Sequence, residues 1–285
     1  MFSCKARVEE KQIFVPSFST LGNDSTGSDV PIQKQEMFYG ILTPVEISTI
    51  LSRLGVAYNA EVINPIENHD QYVSSAKTAL NTGIYGVDFG YLKMFGIGQA
   101  ILDYGSTIHE MSSKLGIPEE FLTSTIQLLQ DNIVDPDSLL SFMNGAYVKM
   151  EDHLRKSGRE STAGLMIMGG WVEAMYLVTN MVYDPAKPDP EVVQKIAMQK
   201  YTLNSLLSFI KNYYDDPVVV YYSKKLKYLN NYFDTFDIYF RKGDLEVDTV
   251  KQVFRASGTE MNITVETLGN IRTYVASLRN EIVAP

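Results

Sequence analysis

Cysteine and histidine are scarce in this chain. The single cysteine, Cys4, excludes an intramolecular disulfide and any zinc site built from several thiolates. The three histidines, His69, His109 and His153, lie far apart in the sequence. Glu110 follows His109, but adjacent residues point to different sides of a helix. We therefore expect no metal ion and no other cofactor.

An excess of positive charge is also missing. Lysine and arginine number 25 against 34 aspartates and glutamates, which gives a net charge of −9. Nucleic-acid phosphates and anionic membrane surfaces repel such a chain, so we exclude nucleic acid as a partner. Hydrophobic residues make up 45% of the sequence, which is enough for a sizeable core.

Catalytic motifs are absent as well. The glycines of Gly96-Ile97-Gly98 follow no predicted strand, so they do not form a phosphate-binding loop. No serine stands in a nucleophile elbow. The sequence specifies no reaction, and we expect a protein without enzymatic activity.

Helix-start signals, in contrast, are abundant. Thr43-Pro44-Val45-Glu46 is a capping box with proline at the first helical position, and Asp189-Pro190 starts a later helix in a similar way. Apolar residues at helical spacing follow these signals. We predict an all-α fold, an antiparallel multi-helix bundle with at most a short hairpin near residues 245–263. The predicted helices cover residues 45–54, 68–82, 84–115, 118–132, 135–156, 161–183, 190–214, 217–241 and 265–282.

The segment 163–183 is apolar enough to raise the question of a membrane span. Its only charge is Glu173, and its length is near the roughly 20 residues that a span needs. However, it contains Gly164, Gly169 and Gly170, and no aromatic belt or excess of positive charge flanks it. We interpret it as a helix buried at the centre of the bundle.

The N-terminus has a different character. Phe2-Ser3-Cys4 resembles the end of a bacterial lipobox, in which the cysteine receives the lipid, and we expect a longer precursor to supply the apolar part of the signal. Residues 1–40 are polar and predict a flexible tether, whereas residues 41–285 predict a single helical domain. The alternative is a cytoplasmic protein with a frayed N-terminus.

Residues 87–92 and 172–177 share the pattern V-[D/E]-x-x-Y-L. This internal echo predicts two related helical halves whose glycine-containing helices cross at the centre of the domain. Because glycine lets helix backbones approach closely, we expect Gly86 or Gly90 to lie near Gly170.

The echo places two carboxylates, Asp88 and Glu173, in apolar helices, where an unpaired charge is costly. Tyr91 and Tyr176 follow three residues later, and Trp171 lies near Glu173. If the helices cross, these five residues would form a ligand-binding site, which would suit acid–base chemistry or a hard cation. The alternative is that each carboxylate is bonded internally and fixes the helix register.

A stripe of tyrosines is the second candidate site. Tyr221, Tyr228, Tyr232 and Tyr239 recur at steps of seven and four residues, so they share one face of a predicted helix. They either pack against a neighbouring helix or form an exposed aromatic groove for a ligand, a glycan or a protein.

Short signatures carry a resemblance to known proteins. They are Phe2-Ser3-Cys4-Lys5, Tyr85-Gly86-Val87-Asp88, Gly169-Gly170-Trp171-Val172-Glu173 and Leu278-Arg279-Asn280-Glu281-Ile282-Val283. In them the chain resembles an uncharacterised group of all-helical lipoproteins from Bacteroidetes. The resemblance implies a helical protein outside the cytoplasm and brings no activity with it.

Together these observations predict a non-enzymatic, lipid-anchored protein of the cell envelope, either periplasmic or on the surface. Its partner would be a small molecule or a protein, and it would contact the membrane only through the lipid on Cys4. The alternative is an enzyme or metal-binding protein that uses the carboxylate pair of Asp88 and Glu173.

Overall fold

The computed structural model describes residues 44–120, 123, 150, 152–240, 245–248, 253–256 and 259–285. Helix accounts for 78% of the described residues, which confirms the predicted all-α multi-helix fold. They all belong to one compact unit, residues 32–285. The predicted tether with Cys4, and most of the helices predicted over 118–132 and 135–156, lie outside the described residues.

The long helices follow the predicted punctuation in most places. Asp189 and Asp216 each accept hydrogen bonds from backbone amides of the first helical turn, and proline follows both of them. The helices are α1 Pro44–Leu54, α2 Ser75–Phe95, α3 Gly98–Lys114, α4 Glu160–Leu177, α5 Pro190–Ile210, α6 Pro217–Phe233 and α7 Val265–Val283. Helix α4 continues into a π-helical turn over Val178–Val182, and 3₁₀ turns cover Ala60–Val62, Ile66–Gln71 and Lys211–Tyr213.

The predicted boundary between the second and third helices is wrong. Helix α2 runs without interruption through Thr82 and Gly83, and the break comes later, at Gly96. Gly96 has a φ of 67°, a left-handed conformation that favours glycine and ends the helix. Residues 68–71 belong to a 3₁₀ turn and not to the start of a helix.

Two antiparallel strand pairs lie between α6 and α7. Strand β1 (Ile238–Phe240) pairs with β4 (Thr259–Met261), and β2 (Leu245–Asp248) pairs with β3 (Val253–Ala256). The predicted hairpin region is therefore extended, but its predicted start is too late. Helix α6 ends at Phe233 and not near residue 241, because Ile238-Tyr239-Phe240 is a β-branched and aromatic run that favours a strand.

Helices α2 and α4 cross at glycines, as the echo predicted, and Gly170 lies at the crossing, but its partner on α2 is Gly83. A Cβ on Gly169 would overlap the backbone carbonyl of Leu80, and a Cβ on Gly83 would overlap the carbonyl of Met166. At Gly86 a Cβ would meet no described atom within 4 Å, so the prediction of a Gly86 contact is wrong. Gly83 lies three residues earlier, which rotates it by about 60° around the helix axis, and it faces α4.

The helical stretch Glu160–Val182 lies in the core of the domain. Its mean hydropathy is 1.3, and it is long and apolar enough to cross a membrane. However, 67% of its apolar window is buried inside the protein. Helices α2, α5 and α7 all pack against it, which is the environment expected for the predicted central helix.

Candidate functional site

The two echoed carboxylates meet at the centre of the bundle. Helix α2 carries Asp88 and α4 carries Glu173, and neither side chain has any solvent exposure. The two carboxyl groups lie close enough for each to influence the pKa of the other. The prediction that both helices pack together and bury both acids is thus confirmed. Their common position is a consequence of the glycine crossing, because only close backbones bring short acidic side chains into contact.

Arg279 of α7 neutralises Glu173. Its Nε and Nη2 donate to the two carboxylate oxygens of Glu173 at 3.0 and 3.1 Å, a bidentate pair. Nη2 also donates to the backbone carbonyl of Val62 at 3.3 Å. The guanidinium lies 4.7 Å from the ring centre of Tyr176, which adds a cation–π contact. The buried arginine is therefore held by its charge partner, a carbonyl and an aromatic face.

Asp88 has a different set of partners. Its Oδ2 accepts a hydrogen bond from the backbone amide of Asn64 at 3.0 Å, while Oδ1 accepts none from the described donors. Burial, and then the negative charge of Glu173, raise the pKa of Asp88 well above its usual range. We infer that Asp88 is the protonated member of the pair, because Arg279 can neutralise only one of two buried carboxylates. Burial also raises the pKa of Glu173, although the charge of Arg279 opposes that rise.

This assignment makes the site electrically neutral. Protonated Asp88, ionised Glu173 and Arg279 carry charges of 0, −1 and +1. A neutral and internally bonded triad can be buried at moderate cost, whereas a second unpaired charge could not.

Residues 64–72, which precede α2, form a polar layer that covers Asp88. Asn64 is fully buried, and its side-chain amide donates to the hydroxyl of Tyr72 at 3.0 Å and to Asn81 at 3.3 Å. The backbone carbonyl of Asn64 accepts a hydrogen bond from the hydroxyl of Tyr104 at 2.7 Å. Tyr85 donates to the carbonyl of Pro65 at 2.8 Å. These bonds hold residues 64–72 against α2 and α3.

Helix α7 is fixed in place by Lys77 of α2. The Lys77 ammonium donates to the backbone carbonyls of Glu281, Ile282 and Ala284 at 2.9, 3.2 and 2.6 Å. These carbonyls lie at the C-terminal end of α7, where a positive charge is favourable. Because Arg279 lies close to this end, the contact also helps to fix the arginine beside Glu173.

The other predicted site residues pack around the acid pair and do not expose it to solvent. Tyr91 is buried, and its hydroxyl accepts from the amide of Asn59 at 2.9 Å and donates to the carbonyl of Asn59 at 3.3 Å. Trp171 is buried in the core, and its Nε1 finds no partner among the described residues. A cavity of about 10 Å³ lies near Tyr91 and Val87, which is no larger than one water molecule needs.

Sequence reasoning missed Arg279 and Asn64. A signal for Arg279 existed, because it lies on the face of α7 that buries Ile271, Val275 and Ile282 at helical spacing. A charge on an apolar stripe demands a buried partner. Asn64 lies outside the regular helices, so no periodicity indicated that it would be buried.

The tyrosine stripe is shorter than predicted. Tyr221 and Tyr228 lie on the exposed side of α6 with 49% and 54% exposure, and Tyr232 continues the row. Tyr239 belongs to β1, so its predicted place on the helical stripe is wrong. Tyr274 of α7 completes the cluster, with its ring centre 5.1 Å from that of Tyr228.

A groove lies at the N-terminal end of this row. Its volume is about 460 Å³, within the range of ligand-binding clefts. It is lined by Tyr214, Asp215, Pro217, Val220, Tyr221 and Lys224. The groove is open to solvent, in contrast to the acid pair.

Comparison with known proteins gives no functional assignment: no protein-family model, no curated protein and no solved structure matches this chain.

Proposed function

We propose that this chain is a non-enzymatic interaction protein of the cell envelope, related to the Bacteroidetes lipoproteins that it resembles and anchored by a lipid on Cys4. Its partner is another protein, which binds the exposed face of α6. The observation that carries the proposal is the exposure of a row of tyrosines flanked by lysines, which we call the α6 face. It comprises Tyr221, Lys224, Lys227 and Tyr228.

The closed acid pair supports a non-enzymatic role. A catalytic acid or base must lie within hydrogen-bond reach of its substrate. Asp88 and Glu173 are completely buried and already bonded to Asn64 and Arg279. Their contacts explain how α2, α4 and α7 are fixed together, so the alternative of an enzyme that uses this pair has no structural support.

The α6 face supports protein binding. Tyrosine is enriched at the centres of protein interfaces, because its ring is apolar while its hydroxyl still forms hydrogen bonds. Tyr228 is about half exposed and stacks with Tyr274, which limits the side-chain entropy that it would lose on binding. The groove beside Tyr221 offers space for a side chain of the partner.

The charge of α6 specifies the chemistry of the partner. Residues 217–233 contain three lysines and no acidic residue, although the chain as a whole has a net charge of −9. Lys225 is neutralised by Glu281 at 2.7 Å, but Lys224 and Lys227 are exposed. A partner with an apolar centre and an acidic rim would complement this surface.

The binding part of the proposal is tested by site-specific photocrosslinking in the cells that encode the protein. A photoreactive phenylalanine analogue replaces Tyr228 in one variant and Leu102, which is 65% exposed on α3, in a matched control. We expect one discrete protein adduct from position 228 that is lost when Lys224 and Lys227 are changed to Glu. Equal adducts from both positions, or none from position 228, would contradict an interface on the α6 face.

The anchoring part is tested separately. The gene is expressed with its native upstream codons, as the wild type and as Cys4→Ser. We expect lipid on Cys4 by mass spectrometry and recovery of the wild-type protein with membranes, whereas Cys4→Ser stays soluble. An unmodified, soluble wild-type product with a free thiol would contradict the lipoprotein interpretation while leaving the α6 interface untouched.

A further inference from the structure

A second acidic cluster lies on the surface, partly on the segment that covers Asp88. His69 and Asp70 belong to the 3₁₀ turn Ile66–Gln71, and Glu110 belongs to α3. The Nε2 atom of His69 is 3.3 Å from Oδ1 of Asp70 and 3.6 Å from Oε2 of Glu110. The three residues can thus offer one nitrogen and two oxygens, with one ligand atom from each within 4.8 Å of the other two.

The orientation of His69 is fixed by its other ring nitrogen. Nδ1 lies 2.6 Å from the backbone carbonyl of Ile66, so Nδ1 carries a proton and donates it to that carbonyl. In the neutral ring, the lone pair on Nε2 therefore faces the two carboxylates. A backbone acceptor on the opposite nitrogen is the usual support for a histidine that ligates a metal.

Glu110 is oriented in a comparable way. Its Oε1 binds the ammonium of Lys114 at 2.8 Å, which leaves Oε2 directed at His69. This orientation favours a ligand role for Oε2.

We propose that His69, Asp70 and Glu110 bind a divalent cation of the zinc class. Ligand atoms at about 2.0–2.1 Å from a tetrahedral zinc ion are about 3.3–3.4 Å apart. The two distances from His69 Nε2, 3.3 and 3.6 Å, match the edges of such a tetrahedron. One nitrogen with two oxygens suits zinc and its neighbours in the first transition row, whereas calcium and magnesium prefer oxygen ligands alone.

The cation would link residues 64–72, which cover the acid pair, to α3. The 3₁₀ turn lies between Asn64 and Tyr72, which both contribute to the bonds that cover Asp88. Asp70 and Glu110 are 76% and 52% exposed, so water completes the coordination and a metal ion has free access. The bound ion would connect the 3₁₀ turn to α3, and its site is independent of the α6 face.

Calorimetric titration of the full chain with zinc, after dialysis against a chelator, tests the proposal. We expect one zinc ion per chain. His69→Asn keeps a donor for the carbonyl of Ile66 and removes Nε2, and Glu110→Gln removes the second ligand. Each change should weaken zinc binding at least about tenfold. Cobalt should give the visible absorption of a tetrahedral complex in the wild type but not in these variants.

His109→Asn is the matched control, because His109 also lies on α3 and its Nε2 is 3.8 Å from Oε1 of Glu119. We expect its zinc affinity to equal that of the wild type. The three metal-free variants should have the same circular dichroism spectrum as the wild type, which excludes misfolding as the cause of any loss. No zinc binding, or equal losses in His69→Asn and His109→Asn, would overturn the proposal.

Discussion

The molecule contains two clusters of acids that have the same composition and opposite surroundings. Asp88 and Glu173 are completely buried, whereas Asp70 and Glu110 are mostly exposed. Each cluster has two carboxylates, with Arg279 as the basic partner in the first and His69 and Lys114 in the second. The buried pair is completed by the protein itself, through a bidentate arginine and a proton on Asp88. The exposed pair has its free lone pairs directed towards one point that solvent can reach.

The difference shows how burial decides between structure and binding. In the core, an unpaired charge destabilises the folded state, so each charged group needs a partner from the protein itself. On the surface, water screens the same charges, and a small cluster can remain open for a cation. Substitutions in the two clusters test this contrast, and the largest changes in stability are expected at the buried pair.

Arg279→Met should have the largest effect on stability. It leaves Glu173 buried without its charge partner, which costs about 3–5 kcal/mol of unfolding free energy. Urea denaturation measures the change. Arg272→Met is the matched control on the same helix, because Arg272 is only partly buried and donates one bond to Asn180 at 3.2 Å. Equal losses in both variants would show that the Glu173–Arg279 pair has no special role.

Gly169→Ala should come next. A Cβ at this position would overlap the carbonyl of Leu80, so α2 and α4 must separate and the closed contact around the acids is strained. We expect a loss of about 1–3 kcal/mol, typical of overpacking. Gly86→Ala, on exposed α2 surface with open space for a Cβ, should instead stabilise by about 0.5–1 kcal/mol. Thermal unfolding of both variants checks the opposite signs.

Asp88→Asn should change the pH dependence of stability. The pKa of Asp88 is raised from 3.8 in the folded chain, so above that pH the folded state holds a proton that the unfolded state releases. Wild-type stability therefore decreases as the pH rises towards the folded pKa, by about 1.4 kcal/mol per pH unit. Asparagine cannot ionise and keeps a donor for Glu173.

The stability of Asp88→Asn relative to the wild type should therefore increase with pH at that rate, and level off above the folded pKa of Asp88. Urea denaturation at several pH values from about 4 to 8 measures the difference. Parallel stability curves for the two proteins would mean that Asp88 is ionised in the folded state.

The sequence predicted the regular parts of this structure well. Asp189-Pro190 indicated the start of α5, and Pro217 indicated that of α6. The meeting of Asp88 with Glu173 could be predicted because a repeated pattern and a set of glycines indicated the same crossing. The choice of Gly83 in place of Gly86 could not, because it depends on the rotation of α2 about its axis.

The parts that the sequence did not predict depend on irregular segments. Asn64 and His69 lie in and beside 3₁₀ turns, where no periodicity indicates which side chains point inwards. Glu110 was considered with its neighbour His109, although its partner comes from a turn about forty residues earlier in the chain. Such contacts are determined by tertiary packing, so the sequence alone could not predict the exposed cluster.

The smallest effect on folding should come from that exposed cluster. Without metal, Asp70→Asn should leave the midpoint of urea denaturation unchanged, because Asp70 is 76% exposed and water replaces its contacts. With zinc at about 100 times its Kd, the wild type should gain about 2.7 kcal/mol, since only the folded chain brings the three ligands together. Asp70→Asn should gain much less, because its zinc affinity is lower. An equal gain in both proteins would place the bound zinc elsewhere, and a large loss without zinc would make Asp70 a structural residue like Glu173.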